Sequence, residues 1–121
     1  MFIETNVNPY GENLDDCLIR AITLGTGKDY YDVMDGLIEI ADNNGWEIDE
    51  MRTGWKYLVD NGWEACELDN PTTVKQYASM FTDPRIVVVK GHATFTKDGN
   101  VYDTWNPNRY KVRYVFRKVI S

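Results

Sequence analysis

The sequence contains few of the side chains that usually carry chemistry at neutral pH: one histidine and two cysteines among 121 residues. A single histidine excludes sites built from histidine pairs, and two distant cysteines do not form the close-spaced pair typical of zinc sites. The longest wholly apolar run, Ile86 to Val89, is far too short to span a bilayer. We therefore expect no metal, no cofactor and no association with a membrane.

Basic residues are also in short supply, with 13 Lys and Arg against 19 Asp and Glu and a net charge of -6. This balance argues against nonspecific binding to a phosphate backbone, so nucleic acid is not expected as a partner. The first residues lack the basic and then apolar regions of an export signal. The expected compartment is the cytoplasm, where cysteines remain reduced.

The composition is that of a packed globule, with 43% hydrophobic and 13% aromatic residues. At this length, residues 1–121 fit a single domain that buries its core without disulfide or metal staples. Helical patterns come first and strand patterns later. The sequence therefore predicts an α+β fold.

Apolar residues at helical spacing predict four helices in the first two thirds of the chain. The first begins after a cap at Asp15 or Asp16 and ends near Gly27. The other three carry apolar faces within Tyr30 to Ala41, within Ile48 to Val59 (including Trp55), and within Val74 to Phe81. A short strand, Trp63 to Leu68, is predicted between the third and fourth helices.

From Arg85 onward the pattern becomes that of a sheet. The apolar run Ile86 to Val89 predicts a strand covered on both faces and continuing to Thr96. Asp98-Gly99 predicts a two-residue hairpin turn, followed by a partner strand over residues 100–105. Alternation over residues 110–117 predicts a final strand with one solvated face.

The predicted hairpin places the histidine near an acid. If Asp98 and Gly99 form the turn, His92 pairs with Trp105, and Asp103 becomes its diagonal neighbour on the same face. Such neighbours lie roughly 7–8 Å apart at the backbone, a gap that an imidazole and a carboxylate can close. A three-residue turn would shift the register by one residue and place Asp103 on the other face.

Cys17 opens the first predicted helix, where unpaired backbone N–H groups and the helix dipole favour thiolate over thiol. With His92 and Asp103 it gives the order nucleophile, base and orienting acid. Two alternatives stay open: Cys17 as a buried small hydrophobe and His92 as a structural residue. The neighbouring acids, Asp15 and Asp16, also disfavour a thiolate through like charge.

A helix opening at Cys17, followed far downstream by Gly91-His92-Ala93 and the segment Val101 to Trp105, resembles the papain-like cysteine hydrolase superfamily. The order is similar to that of bacteriocin-processing peptidases, NlpC/P60 cell-wall amidases and transglutaminase-like proteins. The small size looks most like compact members encoded by bacteriophages and their hosts. The resemblance covers about residues 11 to 25 and 86 to 106. It implies a papain-like fold with N-terminal helices packed on a C-terminal antiparallel sheet, in the host cytoplasm for a phage protein.

Carried over to this sequence, the resemblance implies Cys17 as nucleophile, His92 as general base and then acid, and Asp103 as the group that fixes the imidazole tautomer. Papain-like peptidases usually carry a glutamine about six residues before the cysteine, where this chain has Gly11. Asn13 is the nearest amide that could replace it in an oxyanion hole, together with the backbone N–H of Cys17.

The implied activity is that of a cysteine-dependent hydrolase or acyl transferase, a peptidase, isopeptidase or amidase acting on a protein, peptide or other amide. The alternative is a catalytically silent papain-like binding protein, such as a phage counter-defence inhibitor. Basic residues of the last segment, Arg109 to Lys118, form either a solvated sheet face or a docking site for an acidic protein. Cys66 is expected to contribute to packing.

Overall fold

The computed structural model describes residues 1–11, 16–68 and 70–119. In chain order the elements are β1 (Phe2–Glu4), α1 (Cys17–Thr26), α2 (Tyr30–Asn44), α3 (Met51–Asp60), β2 (Trp63–Cys66), α4 (Val74–Met80), β3 (Arg85–Val89), β4 (His92–Lys97), β5 (Asn100–Asp103) and β6 (Tyr114–Lys118). The predicted α+β class is confirmed. Within these ranges, none of the helices is long and apolar enough to cross a membrane.

The strands form one six-stranded sheet in the order β1-β5-β4-β3-β6-β2. β1 runs parallel to β5, with Phe2 beside Val101, while the other strand pairs of the described chain are antiparallel. The expectation of an antiparallel sheet is therefore wrong at one edge, and the sheet is mixed. The first residues of the chain complete it, and the Thr5 N–H donates to the Asp103 carbonyl at 2.7 Å.

Two cores lie on opposite faces of this sheet. Helices α1, α2 and α3 bury their apolar sides against Ile86, Val88 and other residues of one face. Helix α4 packs against Val87 and Val89 on the other face. All five residues of β3 are buried, which confirms the prediction of a strand covered on both sides. The burial of apolar surface on both faces is the main stabilising contribution to the sheet.

Helix α1 ends as predicted but begins differently. Gly27 adopts a left-handed conformation, with φ of 71°, and its N–H donates to the Thr23 carbonyl. At the other end Asp16 occupies the N-cap position, yet within the described chain its side chain makes no capping hydrogen bond. It forms an ion pair with Arg20 one turn later. The predicted role of Asp16 as a side-chain cap is wrong, and Asp15 lies outside the described residues.

Helix α3 buries only part of its predicted apolar face: Leu58 is fully buried and Met51 packs against the core. Trp55 and Val59 are 40% and 50% exposed. The buried positions are Thr53, Gly54, Tyr57 and Leu58. A Cβ at Gly54 would lie 2.7 Å from the side chain of Leu18 in α1. Small residues allow the two helices to approach closely, and a pattern based on large apolar residues therefore misses Thr53 and Gly54 and wrongly includes Trp55 and Val59.

The continuous strand predicted from Ile86 to Thr96 is in fact two strands. The chain reverses at Lys90-Gly91, where Gly91 has a φ of 71° and Val89 pairs with His92. Glycine adopts this left-handed conformation without the steric penalty of a side chain. His92 therefore lies at the first position of β4, at one end of the sheet.

The hairpin between β4 and β5 is confirmed. Asp98 and Gly99 both have positive φ, 54° and 80°, as a two-residue turn of the favoured type requires. Phe95 pairs with Tyr102, which is the predicted register. Strand β5 ends at Asp103, two residues earlier than expected.

The last strand differs from the prediction of a half-solvated strand. β6 spans Tyr114–Lys118 and lies inside the sheet between β3 and β2. Val115 and Phe116 are both buried, and they belong to the two different cores. Because neighbours cover it on both faces, β6 has no continuous solvated side.

Candidate active site

Three of the predicted site residues lie at ends of elements that the fold brings together. Cys17 is the first residue of α1, His92 the first of β4 and Asp103 the last of β5. Helix α1 packs directly against β4, and β4 pairs with β5. The half-buried thiol therefore lies beside the imidazole and carboxylate.

The predicted contact between His92 and Asp103 is confirmed. His92 Nε2 lies 2.6 Å from Asp103 Oδ2, and both residues are buried. The other carboxylate oxygen, Oδ1, accepts the backbone N–H of Thr104 at 2.7 Å. The carboxylate is thus held at both oxygens, and its position selects which imidazole nitrogen carries a proton.

The environment of His92 favours its charged form. Burial lowers the pKa of this imidazole, but hydrogen bonds and electrostatic interactions with Asp103 and Cys17 outweigh that effect and raise the pKa to about 9. His92 is therefore protonated at pH 7. Since Asp103 engages Nε2, Nδ1 is the ring nitrogen left for the thiol. An imidazolium at this position stabilises a thiolate through opposite charge.

An indole ring covers the imidazole. The ring centroids of His92 and Trp105 are 4.5 Å apart at an angle of 41°, although Trp105 lies two residues beyond the end of β5 and the pairing of β4 with β5 ends at Phe95 and Tyr102. Trp105 also contacts Tyr110, with centroids 5.3 Å apart. These two aromatic rings limit the access of water to His92. The lower local polarity strengthens the hydrogen bond between His92 and the carboxylate.

Cys17 and His92 line a cleft of about 340 Å³. Part of its wall is apolar, formed by Ile48, Met51 and Tyr114 among others. The acids Asp16 and Asp49 and the base Arg113 also line it. The thiol therefore faces a space with both hydrophobic and charged groups, as expected of a site that receives part of a polar substrate.

The basic residues of the last segment do not share one surface. Arg113 lines the cleft, whereas the Arg117 Nε donates to Glu64 Oε1 at 2.7 Å. Lys111 pairs through its backbone with Thr73, next to α4. Of these basic residues, Arg113 is the one that lines the cleft, and docking of an acidic protein along this segment stays a prediction.

A pair of buried charges was missed at the sequence level. Asp16 accepts hydrogen bonds from Asn8 Nδ2 at 3.0 Å and from the Tyr30 hydroxyl at 2.7 Å. Arg20 pairs with Asp16 and also approaches Asp103, with Nη2 3.8 Å from Oδ1. The available signal was the spacing: an acid and an arginine four residues apart, within a helix otherwise rich in apolar residues.

Of the two predicted oxyanion donors, only the backbone N–H of Cys17 lies within the described residues. Asn13 lies outside the described residues, so its role stays a prediction. The backbone N–H of Cys17 belongs to the first turn of α1, where N–H groups have no partner within the helix. Within the described ranges, no three side chains of His, Cys, Asp or Glu are grouped as a metal site.

Neither protein-family models, nor curated proteins, nor solved structures gave a match to this chain. Function therefore has to be inferred from the contacts themselves. Three features bear on it: the imidazole of His92 lies between a thiol and a carboxylate, His92 and Asp103 are buried, and a cleft lies beside them.

Proposed function

We propose that the protein is a cysteine-dependent hydrolase or acyl transferase that acts on a peptide, isopeptide or other amide bond. The observation that carries this proposal is the chain's one histidine, held between a helix-initial thiol and a buried carboxylate at the edge of a cleft. A purely structural His–Asp pair requires neither the thiol nor the cleft. The helices packed on a sheet, with the order Cys, His, Asp, also support a compact papain-like fold.

In the first half of the reaction, Cys17 acts as a thiolate and His92 as an imidazolium. The sulfur attacks the amide carbonyl and forms a C–S bond, while the carbonyl π electrons move onto oxygen. The Cys17 N–H at the start of α1 is in place to donate to this oxyanion. His92 then gives its proton to the leaving nitrogen as the C–N bond breaks, which leaves a thioester and a free amine.

In the second half, water or an amine attacks the thioester. His92, now neutral, takes the proton of the incoming nucleophile, and the C–S bond breaks to release the acyl product and restore the thiolate. Asp103 keeps the Nε2 proton in place by accepting its hydrogen bond, so that Nδ1 exchanges protons with the reacting atoms.

The two cysteines allow a direct test of thiol activation. Both are free and half-buried, but only Cys17 has the histidine beside it, so Cys66 serves as an internal control. We expect iodoacetamide at pH 6 to modify Cys17 at least about tenfold faster than Cys66. Rates would be followed by peptide mass spectrometry. Equal, slow labelling that rises only near pH 8 to 9 would refute the proposal.

A second experiment separates the enzyme from the alternative, a silent binding protein. Wild-type protein incubated with a bacterial extract should form an acyl adduct on Cys17, whereas Cys17→Ala and His92→Ala should not. Mass spectrometry of the adduct would identify the acyl group. A binding protein has no need of an activated thiol, so full biological effect in Cys17→Ala would favour that alternative.

A further inference from the structure

Arg20 lies in the middle of a buried row of alternating charges. The row runs from Asp16 through Arg20 and Asp103 to His92. In that order, the four residues are 6%, 5%, 4% and 7% exposed. Four charged or chargeable groups buried together are unusual, because each loses its hydration. The contacts among these four groups must therefore replace the hydrogen bonds to water that each group loses on burial.

The contacts show how the row is connected. One terminal nitrogen of Arg20, Nη1, pairs with Asp16 Oδ1, and the other, Nη2, lies 3.8 Å from Asp103 Oδ1. His92 uses the second oxygen of the same carboxylate, Oδ2. Because the guanidinium and the imidazole approach different oxygens, Arg20 does not compete with His92 for its acceptor, and it adds to the Thr104 N–H, which donates to the same Oδ1 at 2.7 Å.

The other end of the row is anchored independently. Asn8 and the Tyr30 hydroxyl both donate to Asp16 Oδ2, which leaves Oδ1 to Arg20. Asp16 directly precedes Cys17 in the chain. Arg20 therefore connects the start of the nucleophile's helix with the carboxylate that orients the base.

Stability alone gives no reason for an arginine here. Replacing buried ion pairs by apolar groups of similar volume is often neutral or stabilising, because desolvation offsets the attraction. The planar fork of arginine can contact two carboxylates in fixed directions, which a lysine ammonium cannot do. The geometry therefore favours a role in orientation.

We propose that Arg20 is a positioning residue of the site: its guanidinium joins Asp16 to Asp103 and holds the Asp103 carboxylate where it accepts the Nε2 proton of His92. The catalytic value of this role rests on the proposed function. The coupling of Arg20 to His92 through Asp103 is a property of the resting protein and can be measured without any reaction.

The lone histidine makes this measurement simple, because its imidazole signals in an NMR spectrum have no competitors. In wild-type protein, the neutral ring should carry its proton on Nε2 and should titrate above pH 6.5. In Arg20→Met, we expect a weaker Nε2 preference and a titration midpoint at least about one pH unit lower, since the Asp103 carboxylate then keeps the Thr104 N–H on Oδ1 but loses the guanidinium, and stabilises the imidazolium less.

The direction of the shift separates orientation from simple charge. Among the described residues, the titratable groups that contact this row include Asp16 and Cys17 at the start of α1, Tyr30 of α2, His92 of β4 and Asp103 of β5. Removing a cation from among them, with the geometry unchanged, would raise the His92 midpoint by relieving repulsion. A lower midpoint therefore reports loss of orientation.

Two further variants sharpen the test. Arg20→Lys keeps the charge but not the fork, and should shift the midpoint and the tautomer in the same direction by a smaller amount. Arg117→Met removes an exposed arginine that pairs with Glu64, and should change neither. In parallel, Cys17 alkylation at pH 6 should fall about tenfold in Arg20→Met and should not change in Arg117→Met.

An unchanged His92 tautomer and midpoint in folded Arg20→Met, whatever its melting temperature, would show a purely structural role and overturn the proposal. A raised midpoint with the tautomer intact would also overturn it. If Arg20→Met does not fold, Arg20→Lys decides: wild-type behaviour overturns the proposal and a partial shift supports it. If wild-type Cys17 proves unreactive, the proposed function fails, but the His92 signals still test this coupling.

Discussion

Two regions of the molecule contain the same kinds of side chain. The first, around Cys17, holds buried Arg20 and the hydroxyl of Tyr30. The second, around Cys66, holds buried Arg85, which donates to the Tyr77 hydroxyl at 2.8 Å. Each region borders a cleft, and the second cleft is the larger, about 840 Å³ against about 340 Å³.

The regions differ in what surrounds their charges. Arg85 pairs with Asp83, whose side chain is 49% exposed, and its guanidinium lies 3.7 Å from the centre of the Phe81 ring. Arg20 instead lies between two buried carboxylates that lead to His92. Cys66 ends a strand, while Cys17 begins a helix. Neither cleft size nor a nearby arginine marks a thiol as reactive, whereas an oriented imidazole does.

The largest expected effect comes from removing that imidazole. His92→Ala should slow Cys17 alkylation at pH 6 by at least about 100-fold, because a thiol with the ordinary cysteine pKa near 8.5 is less than about 1% ionised at that pH. Cys66 should react at its wild-type rate, so the two cysteines should be alkylated at similar rates in this variant. The ratio of the two rates, read from peptide masses, checks this. A Cys17 that stays fast without His92 would show that helix position alone activates it.

A smaller effect is expected at the carboxylate. Asp103→Ala should slow Cys17 alkylation about tenfold, since Asp103 orients the base without accepting its proton. The matched control is Asp83→Ala, which removes the carboxylate of the second region and should leave Cys17 unchanged. A loss as large as that of His92→Ala would contradict a purely orienting role.

The pH dependence of stability should also distinguish the first region. The pKa of His92 is raised to about 9 in the folded protein, above its ordinary value of 6.5, so the folded state binds this proton more tightly. The resulting stabilisation, roughly 1–3 kcal/mol, is fully present below pH 6.5 and is lost as the pH rises through 9. Urea unfolding at pH 6 and pH 9.5 would measure it.

His92→Gln serves as the control for this prediction, because other groups also titrate above pH 9. Only the difference between wild-type and variant stabilities reports the histidine. If this difference does not change between the two pH values, the imidazole gains no proton affinity on folding.

The smallest effects concern the two tyrosines. Burial and hydrogen bonding to Asp16 raise the pKa of Tyr30, and burial raises that of Tyr77. Tyr30→Phe and Tyr77→Phe should each lower the free energy of unfolding by about 1 kcal/mol, the usual contribution of a hydrogen bond. Only Tyr30→Phe should slow Cys17 alkylation, by about twofold, because it loosens the anchor of Asp16. Equal effects of the two variants on the thiol would contradict this difference.

Local chemistry explains why much of the site could be predicted. The Asp98-Gly99 turn sets the register of β4 and β5, and that register alone brings His92 to Asp103 and Trp105. The start of α1 at Cys17 follows from the apolar spacing after it. These features depend on residues close in sequence, where turn and helix preferences are strong.

Features that depend on distant residues were missed. β1 is three residues long and acquires its place only by pairing with β5. The buried face of α3 depends on how closely Gly54 approaches Leu18. The link from Arg20 to Asp103 requires α1 to dock on the sheet, and no spacing within one helix indicates where its arginine will point.

The placement of the three residues at opposite ends of the chain also bears on how the protein matures. During synthesis Cys17 leaves the ribosome early, whereas His92 and Asp103 belong to the last third of the sequence. Until the late hairpin of β4 and β5 docks on α1, the nascent chain carries an ordinary cysteine. If Cys17 is the nucleophile that we propose, correct folding acts as the switch that makes its thiol reactive, and a partly folded chain does not modify itself or its neighbours.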